Sequence, residues 1–490
     1  MSPGFDGSDA EARVALRNAS LLAGQRGLDV LRAFAFAALV PRLLGPADFG
    51  RFVVLASVGL WFTLLSSMGS TQLLGRFVPT LAPATDARRR LLGTLLAARL
   101  LGGSGAALTY LLITGLWLRE LPIALPAAIA AGVLLRSASN VLFGFFLGLN
   151  QAARWGMGDV VRRWSSLVLI VPGVFLFGLA GACLGALLAE AVVLALGVVW
   201  ARPHLRLGDV RFDAAFIGPY LRYNALFFGS NVIFSLCQRG TEALVRMLGA
   251  DPEQVGCYSL AASSYLFGAH ALWHLAMAFV PLVSRYRSEG RLALALDGTG
   301  RLLKLAVVAG VLAFLAAALV GEPLVVLVAG AAFRPAAAAL PPLAAALVAY
   351  AVACAARVLA LALERPRAAL AAAGVQALAL AGAGALLVPR LGALGGGLAV
   401  LIAGVSMAVT FVHGVRDVAL PLRPALSALG SGVVALPLLL VRTGGPADVL
   451  LLVAAAAAYL WALRALGLMT TDELGALRRG LSAVFPAARA

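Results

Sequence analysis

The sequence predicts an all-α integral membrane protein of about fourteen transmembrane helices, each needing some 20 apolar residues to cross the hydrocarbon. Three observations carry that expectation. Hydrophobic residues make up 62% of the 490-residue chain and charged residues only 12%, whereas a soluble domain carries about 25% charged residues. In water, a chain of this length would divide into several cores with polar skins, and it lacks the polar residues to make them. The third observation is the placement of arginine, which recurs in alternate loops between long apolar runs.

Taken in order, the first six spans lie at roughly 18–40, 49–70, 91–117, 122–149, 159–178 and 181–200. Six more follow at roughly 217–248, 255–283, 302–320, 340–363, 368–388 and 392–413, and two at 424–441 and 447–466. Residues 1–17 are polar and of mixed charge (Asp6, Asp9, Glu11, Arg13, Arg17), without the short cationic start and cleavage site of a signal peptide. The first apolar run is therefore expected to be a retained helix. The chain divides on this reading into a cytoplasmic tail at 1–17, a first lobe at 18–201, a linker at 202–216 and a second lobe at 217–414. Two extra helices at 424–467 and a cytoplasmic tail at 468–490 complete it.

The loops set the orientation, because cytoplasmic loops retain basic residues. Arg88, Arg89 and Arg90 follow span two, and Arg154, Arg162 and Arg163 surround the start of span five. Arg202, Arg206 and Arg211 follow span six; Arg285, Arg287, Arg291 and Arg301 follow span eight; Arg365, Arg367, Arg416 and Arg423 flank the later spans. Only about seven basic residues fall on the opposite side, among them Arg42, Arg51, Arg334 and Arg442. Both termini are thus expected in the cytoplasm. The net charge of +17 is dispersed rather than gathered on one face, so it does not describe a nucleic-acid surface. Cys183, Cys237, Cys257 and Cys354 lie in or beside apolar runs without metal-ligand spacing, which argues against a disulfide framework or a zinc site.

Two stretches about 200 residues apart match in order. The first reads Gln25-Arg26-Gly27-Leu28-Asp29, then Leu43-Leu44-Gly45-Pro46, then Phe49-Gly50-Arg51-Phe52. The second reads Gln238-Arg239-Gly240-Thr241-Glu242, then Leu248-Gly249-Ala250-Asp251-Pro252, then Val255-Gly256-Cys257-Tyr258. Spans two and eight also both end in Phe-Val-Pro, at 77–79 and 279–281. An offset of an even number of spans makes the copies face the same way, the parallel repeat of two-lobed transporters.

The Leu-Gly-Pro-x-x-Phe-Gly turn at 44–50 and its counterpart at 248–258 resemble the polysaccharide exporters (Wzx-type flippases) of the multidrug/oligosaccharidyl-lipid/polysaccharide (MOP) superfamily. The segment Gly69…Arg76-Phe77-Val78-Pro79 is similar to the end of that family's second helix. The resemblance implies a V-shaped transporter of two pseudo-symmetric six-helix lobes in the bacterial inner membrane. Its expected cargo is a polyprenyl-pyrophosphate-linked oligosaccharide, with membrane lipids and the polysaccharide polymerase or export machinery as further partners. A lipid II flippase or a multidrug exporter of the same superfamily is the alternative. A membrane glycan polymerase, ligase or glycosyltransferase fits less well, because the loops are short and no paired-carboxylate site is visible. No catalytic residue, metal or cofactor is expected, and proton or sodium coupling is the expected drive.

Ionisable residues inside a membrane cost about 2.5–3.5 kcal/mol each on insertion scales unless paired or hydrated. The basic candidates are Arg26, Arg32, Arg99, Arg136, Arg239 and Arg357, against Asp29, Glu190 and Glu242. Arg26 and Asp29, like Arg239 and Glu242, are three apart and can pair on one helix face. The remaining excess of guanidinium suits a pyrophosphate, whose oxygens it binds in bidentate fashion. For Arg32, Arg99 and Arg136 the alternative is that the head reaches the lipid headgroups. Glu190 has no partner close in sequence and is the better coupling candidate, with Asp29 and Glu242 as charge partners. His270, His274, Asn140, Asn231 and Gln238 are candidate polar lining residues.

Overall fold

The computed structural model describes residues 7–468 apart from 68, 82–85, 150, 364, 419, 444 and 446. Its side chains are described from Leu31 onward, except at scattered positions that include 219–227 and 277–282. Among the described residues there are helices and loops and no strand. The first part of the chain forms α1 (Gly7–Leu65), α2 (Ser70–Phe77), α3 (Asp86–Trp117), α4 (Ala124–Gly148) and α5 (Ala152–Ala201). Then come α6 (Ala214–Arg239), α7 (Thr241–Met247), α8 (Pro252–Ser288), α9 (Leu292–Ala329), a 3-10 segment at Ala331–Ala339 and α10 (Leu340–Ala362). The chain continues as α11 (Pro366–Gly414), α12 (Arg423–Ser431), α13 (Leu436–Leu440) and α14 (Ala447–Ala465).

Nine helices among the described residues are long and apolar enough to cross a membrane. Three helical runs are far too long for one crossing. At 1.5 Å per residue, a 49-residue run such as 366–414 spans about 73 Å against a hydrocarbon thickness of about 30 Å. Each of the three is broken at a glycine: α1 at Gly45, α5 at Gly178 and α11 at Gly392. They therefore carry spans one and two, five and six, and eleven and twelve. The breaks at Gly178 (φ 54°, ψ −131°) and Gly392 (φ 53°, ψ −125°) have almost the same geometry. They share a spacing, Gly178-x-x-Gly181-x-x-x-Gly185 against Gly392-x-x-Gly395-x-x-x-Ala399. Positive φ at low cost needs glycine, and the second glycine lets the returning arm touch backbone. A Cβ on Gly181 would lie 1.7 Å from the Gly173 carbonyl oxygen, and one on Gly395 2.3 Å from that of Leu387. These turns are a further copy of the repeat, legible in the sequence once the spacing is aligned.

The expected span seven differs from a single helix. It is divided into α6 and α7 at Gly240, where the Trp61 indole lies so close that a Cβ would overlap its Nε1 at 1.6 Å.

Contacts divide the chain into two compact units, one formed by the residues up to Gly45 with Ser70–Ile217, the other by Pro46–Gly69 with the residues from Gly218 onward. Span two, assigned from the sequence to the first lobe, thus clusters with the second unit. In the first unit α4 is the central helix, packed on α2, α3 and α5. Its Phe143 and Phe146 meet Val193, with Trp200 edge-on to both rings. In the second unit α10 packs on α8, α9 and α11, and its buried Ala346, Ala353, Ala356 and Ala360 let neighbouring backbones approach, as membrane helices require. α9 contributes Leu303, Val307, Val311, Leu315 and Leu319, one turn apart along one face, against Ala425, Ala428 and Tyr459. By contrast Phe175 and Phe177 of α5 are 77% and 66% exposed. On a helix of this length and hydropathy, such side chains suit a lipid-facing surface.

Candidate functional site

In the second unit α10 places Arg357, 8% exposed, among aromatic rings. Its guanidinium carbon lies 4.3 Å from the Phe234 ring centre and 4.4 Å from that of Trp273. Nη2 donates to Asn231 Oδ1 at 3.3 Å. Among the described residues no carboxylate pairs with Arg357. Contact with ring faces stabilises the cation electrostatically. The aromatic lining continues from Phe234 to Tyr350, stacked at 6.3 Å, and from Tyr350 to Tyr265 at 6.4 Å. Tyr265 donates its hydroxyl to Gln238 Oε1 at 3.0 Å. Among the described residues three buried donors of this unit have no acceptor: Trp61 Nε1, Gln238 Nε2 and Arg357 Nε.

Arg239 Nη2 meets His270 Nε2. His270 Nδ1 lies 2.6 Å from the Leu266 carbonyl, which can only accept. The imidazole therefore carries its proton on Nδ1 and offers the Nε2 lone pair to the arginine. The sequence paired Arg239 with Glu242, and the structure corrects this. The break at Gly240 turns the two side chains apart: Arg239 reaches His270, whereas Glu242 accepts from Ser57 Oγ at 3.5 Å and from Ser259. Glu242 is 8% exposed, and among the described residues no cation pairs with it.

The first unit is arranged differently. Arg162 of α5 donates Nε to Glu190 Oε2 at 3.1 Å, Nη1 to Asp159 Oδ1 at 2.9 Å, and Nη2 to Ser139 Oγ at 3.1 Å and Asn140 Oδ1 at 3.0 Å. Arg136 Nη1 lies 3.6 Å from the other oxygen of Glu190. Glu190, expected from the sequence to be a lone carboxylate and the better coupling candidate, is instead the counter-charge of two arginines. Arg162, read from the sequence as part of a loop cluster, is the hub. The signal that could have found it is its i, i+3 spacing from Asp159 on the same helix.

Of the other candidates, Arg99 is 1% exposed within α3, so its head does not reach the headgroups. Arg32 of α1 is half-buried. The side chains of Arg26, Asp29 and His274 lie outside the described residues. Among the described residues no group of His, Cys, Asp and Glu is arranged to hold a metal ion, and the four cysteines are free thiols.

Outside the spans, two exposed ion pairs tie loop ends together. Arg90 bonds Asp213 and lies over the Phe216 ring, and Arg365 bonds Asp417 with both guanidinium nitrogens. The partnering arginine holds each carboxyl below its usual range.

A cavity of about 850 Å³ lies in the second unit between α9, α10, α11 and α12. Its wall is almost wholly apolar, including Val311, Val348, Val405 and Leu429, with His413 and Arg416 at one end.

This helical architecture, with nine apolar spanning helices among the described residues and helical runs broken at glycine, is that of a multi-pass membrane protein. The family model described as "Polysaccharide biosynthesis protein" matches residues 15–287, more than half of the chain, and the chain belongs to that family. Among solved structures the chain is similar to the lipid II flippase MurJ in an inward closed conformation, with 16% identity and a TM-score of 0.66, covering 92% of this chain and 99% of that one. It is similar to an inward-facing multidrug resistance MATE family transporter of the MOP superfamily, with 17% identity and a TM-score of 0.63, covering 80% of this chain and 94% of that one. A MOP superfamily transporter from Pyrococcus furiosus matches with 17% identity and a TM-score of 0.51, covering 83% of this chain and 93% of that one. These likenesses show the MOP transporter fold. No curated protein matches the chain.

Proposed function

We propose that the protein is a flippase that carries a polyprenyl-pyrophosphate-linked oligosaccharide across the bacterial inner membrane by alternating access, with both termini in the cytoplasm. The observation that carries this reading is Arg357: a buried cation without a carboxylate among the described residues, set against the Phe234 and Trp273 rings, whose guanidinium suits phosphate oxygens. The unmatched donors of Gln238 and Trp61 suit sugar hydroxyls and phosphate oxygens, which accept. Arg239, held by His270, adds positive charge in the same unit. The apolar cavity that ends at His413 and Arg416 suits the polyprenyl chain, whose only polar part is its head. A drug exporter for cations would need the opposite sign of charge at Arg357.

Coupling falls to Glu242 rather than Glu190. A carboxylate buried without a cation neutralises itself by binding a cation or a proton, and hydroxyls of Ser57 and Ser259 surround this one. The test uses purified protein in proteoliposomes loaded with polyprenyl-pyrophosphate oligosaccharide, or with lipid II in a parallel arm. Translocation is followed with and without a sodium or proton gradient. The expected result is transport of the oligosaccharide lipid that rises with one gradient, a rise lost in Glu242→Gln. Transport of lipid II alone, or of neither lipid, would overturn the cargo assignment.

A further inference from the structure

The sequence repeat has a physical counterpart where spans two and eight begin. Gly50 and Gly256 stand at equivalent places, each four residues after a proline, Pro46 or Pro252. A Cβ on Gly50 would lie 1.7 Å from the Pro252 carbonyl oxygen and 2.9 Å from the Gly256 nitrogen. A Cβ on Gly256 would lie 2.1 Å from the Pro46 carbonyl oxygen and 3.2 Å from the Gly50 nitrogen. Each glycine rests on the first turn of the other helix. The relation is reciprocal, like the self-complementary contact of a two-fold dimer, but made within one unit of one chain.

The surroundings are closed. Phe49, Val255, Cys257 and Tyr258 are all 3% exposed or less. The Phe49 ring meets Phe333 of the 3-10 segment edge-on at 6.0 Å. At the two glycines backbone lies on backbone with no side chain interposed, so the contact rests on dispersion and Cα–H···O attraction, which are individually weak. Arg51, beside Gly50, pairs with Asp48 of its own helix. Such a surface separates without unlocking interdigitated side chains and closes again without finding rotamers.

We infer that Gly50 and Gly256 form a separable seal at the arginine-poor end of spans two and eight, closed only because neither position carries a Cβ, and opened during transport. The opening step rests on the transporter reading; the closed contact does not. Overlap at 1.7 Å with a carbonyl oxygen cannot be relieved by turning a side chain, so an alanine at either glycine must drive the helix ends apart.

Cys257 is a built-in reporter. It is one residue from Gly256, 2% exposed, and lies against the Ala336 backbone. With Cys183, Cys237 and Cys354 replaced by alanine, modification of Cys257 by a polar maleimide is timed in detergent-purified, monodisperse protein. Gly50→Ala and Gly256→Ala are expected to speed modification on the order of tenfold, since reagents read local opening. Phe333→Ala, which leaves both glycines in place, is expected to speed it less. Gly105→Ala, whose Cβ would meet nothing within 4 Å, is expected to match the parent. Parent-rate labelling in folded Gly50→Ala and Gly256→Ala would overturn the seal, even if export were lost. If neither glycine variant folds, unchanged labelling in Phe333→Ala overturns it. Faster labelling supports the seal whatever the cargo proves to be, so the two readings fail separately.

Discussion

Arg162 in the first unit and Arg357 in the second are held in opposite ways. In the first, Arg162 fills its hydrogen-bonding rim with Glu190, Asp159, Ser139 and Asn140, and Arg136 shares Glu190. In the second, Arg357 has Asn231 and two aromatic rings and, among the described residues, no carboxylate. A buried cation matched by anions is a structural joint, because removing one member leaves an uncompensated charge. A buried cation matched only by π-faces still attracts an anion. On the proposed function, the difference separates arginines that hold helices together from one that receives the anionic cargo.

The largest effect expected from breaking this comparison is at Arg357. Losing one member of a buried charged contact with a bound phosphate costs about 2–5 kcal/mol, which is roughly 30- to 5,000-fold in affinity. Arg357→Ala is expected to weaken binding of polyprenyl pyrophosphate by that range in a direct binding assay, with a smaller loss of thermal stability in detergent from the space left beside the rings. Arg357→Lys keeps the charge but not the planar fork, and its affinity is expected to fall between the two. A variant that binds as tightly as the parent would remove the distinction between the units.

Glu190→Gln is expected to show the reverse pattern. It strips the counter-charge from Arg162 and Arg136, at a cost of about 3–5 kcal/mol of stability for breaking a buried pair. A lowered melting temperature checks this. Recovery when Arg136, Arg162 and Glu190 are all replaced by apolar residues would confirm that the joint is electrostatic. An unchanged melting temperature in Glu190→Gln would assign Glu190 another role.

The smallest effect belongs to the exposed pairs. The carboxyls of Asp213 and Asp417 are held below their usual range by Arg90 and Arg365. Their contribution is therefore fully present above the unfolded value of about 3.9 and is lost as the pH falls through the lowered folded value. Melting temperature is expected to fall in acid over that window, with the Asp213→Asn, Asp417→Asn double variant showing a shallower fall. Because both pairs are solvent-exposed, added salt should shrink the difference at neutral pH.

The sequence by itself determined the membrane class and the run of spans. Composition and hydropathy are sums over residues, and lipid selects on such sums. It also carried the repeat, because glycine and proline have local backbone meanings that survive divergence. What it could not supply were partners set by helix packing. Arg162 finds Asn140 and Glu190 from 22 and 28 residues away, and Arg357 finds Asn231 from 126. The i, i+3 rule that paired Arg239 with Glu242 assumed an unbroken helix, and the break at Gly240 decided otherwise. Span two was counted with the first six helices by order along the chain, yet its contacts cluster with the second unit. Order in sequence fixes which helices exist and which way they run; which charges are answered, and by what, is decided only when distant helices pack in three dimensions.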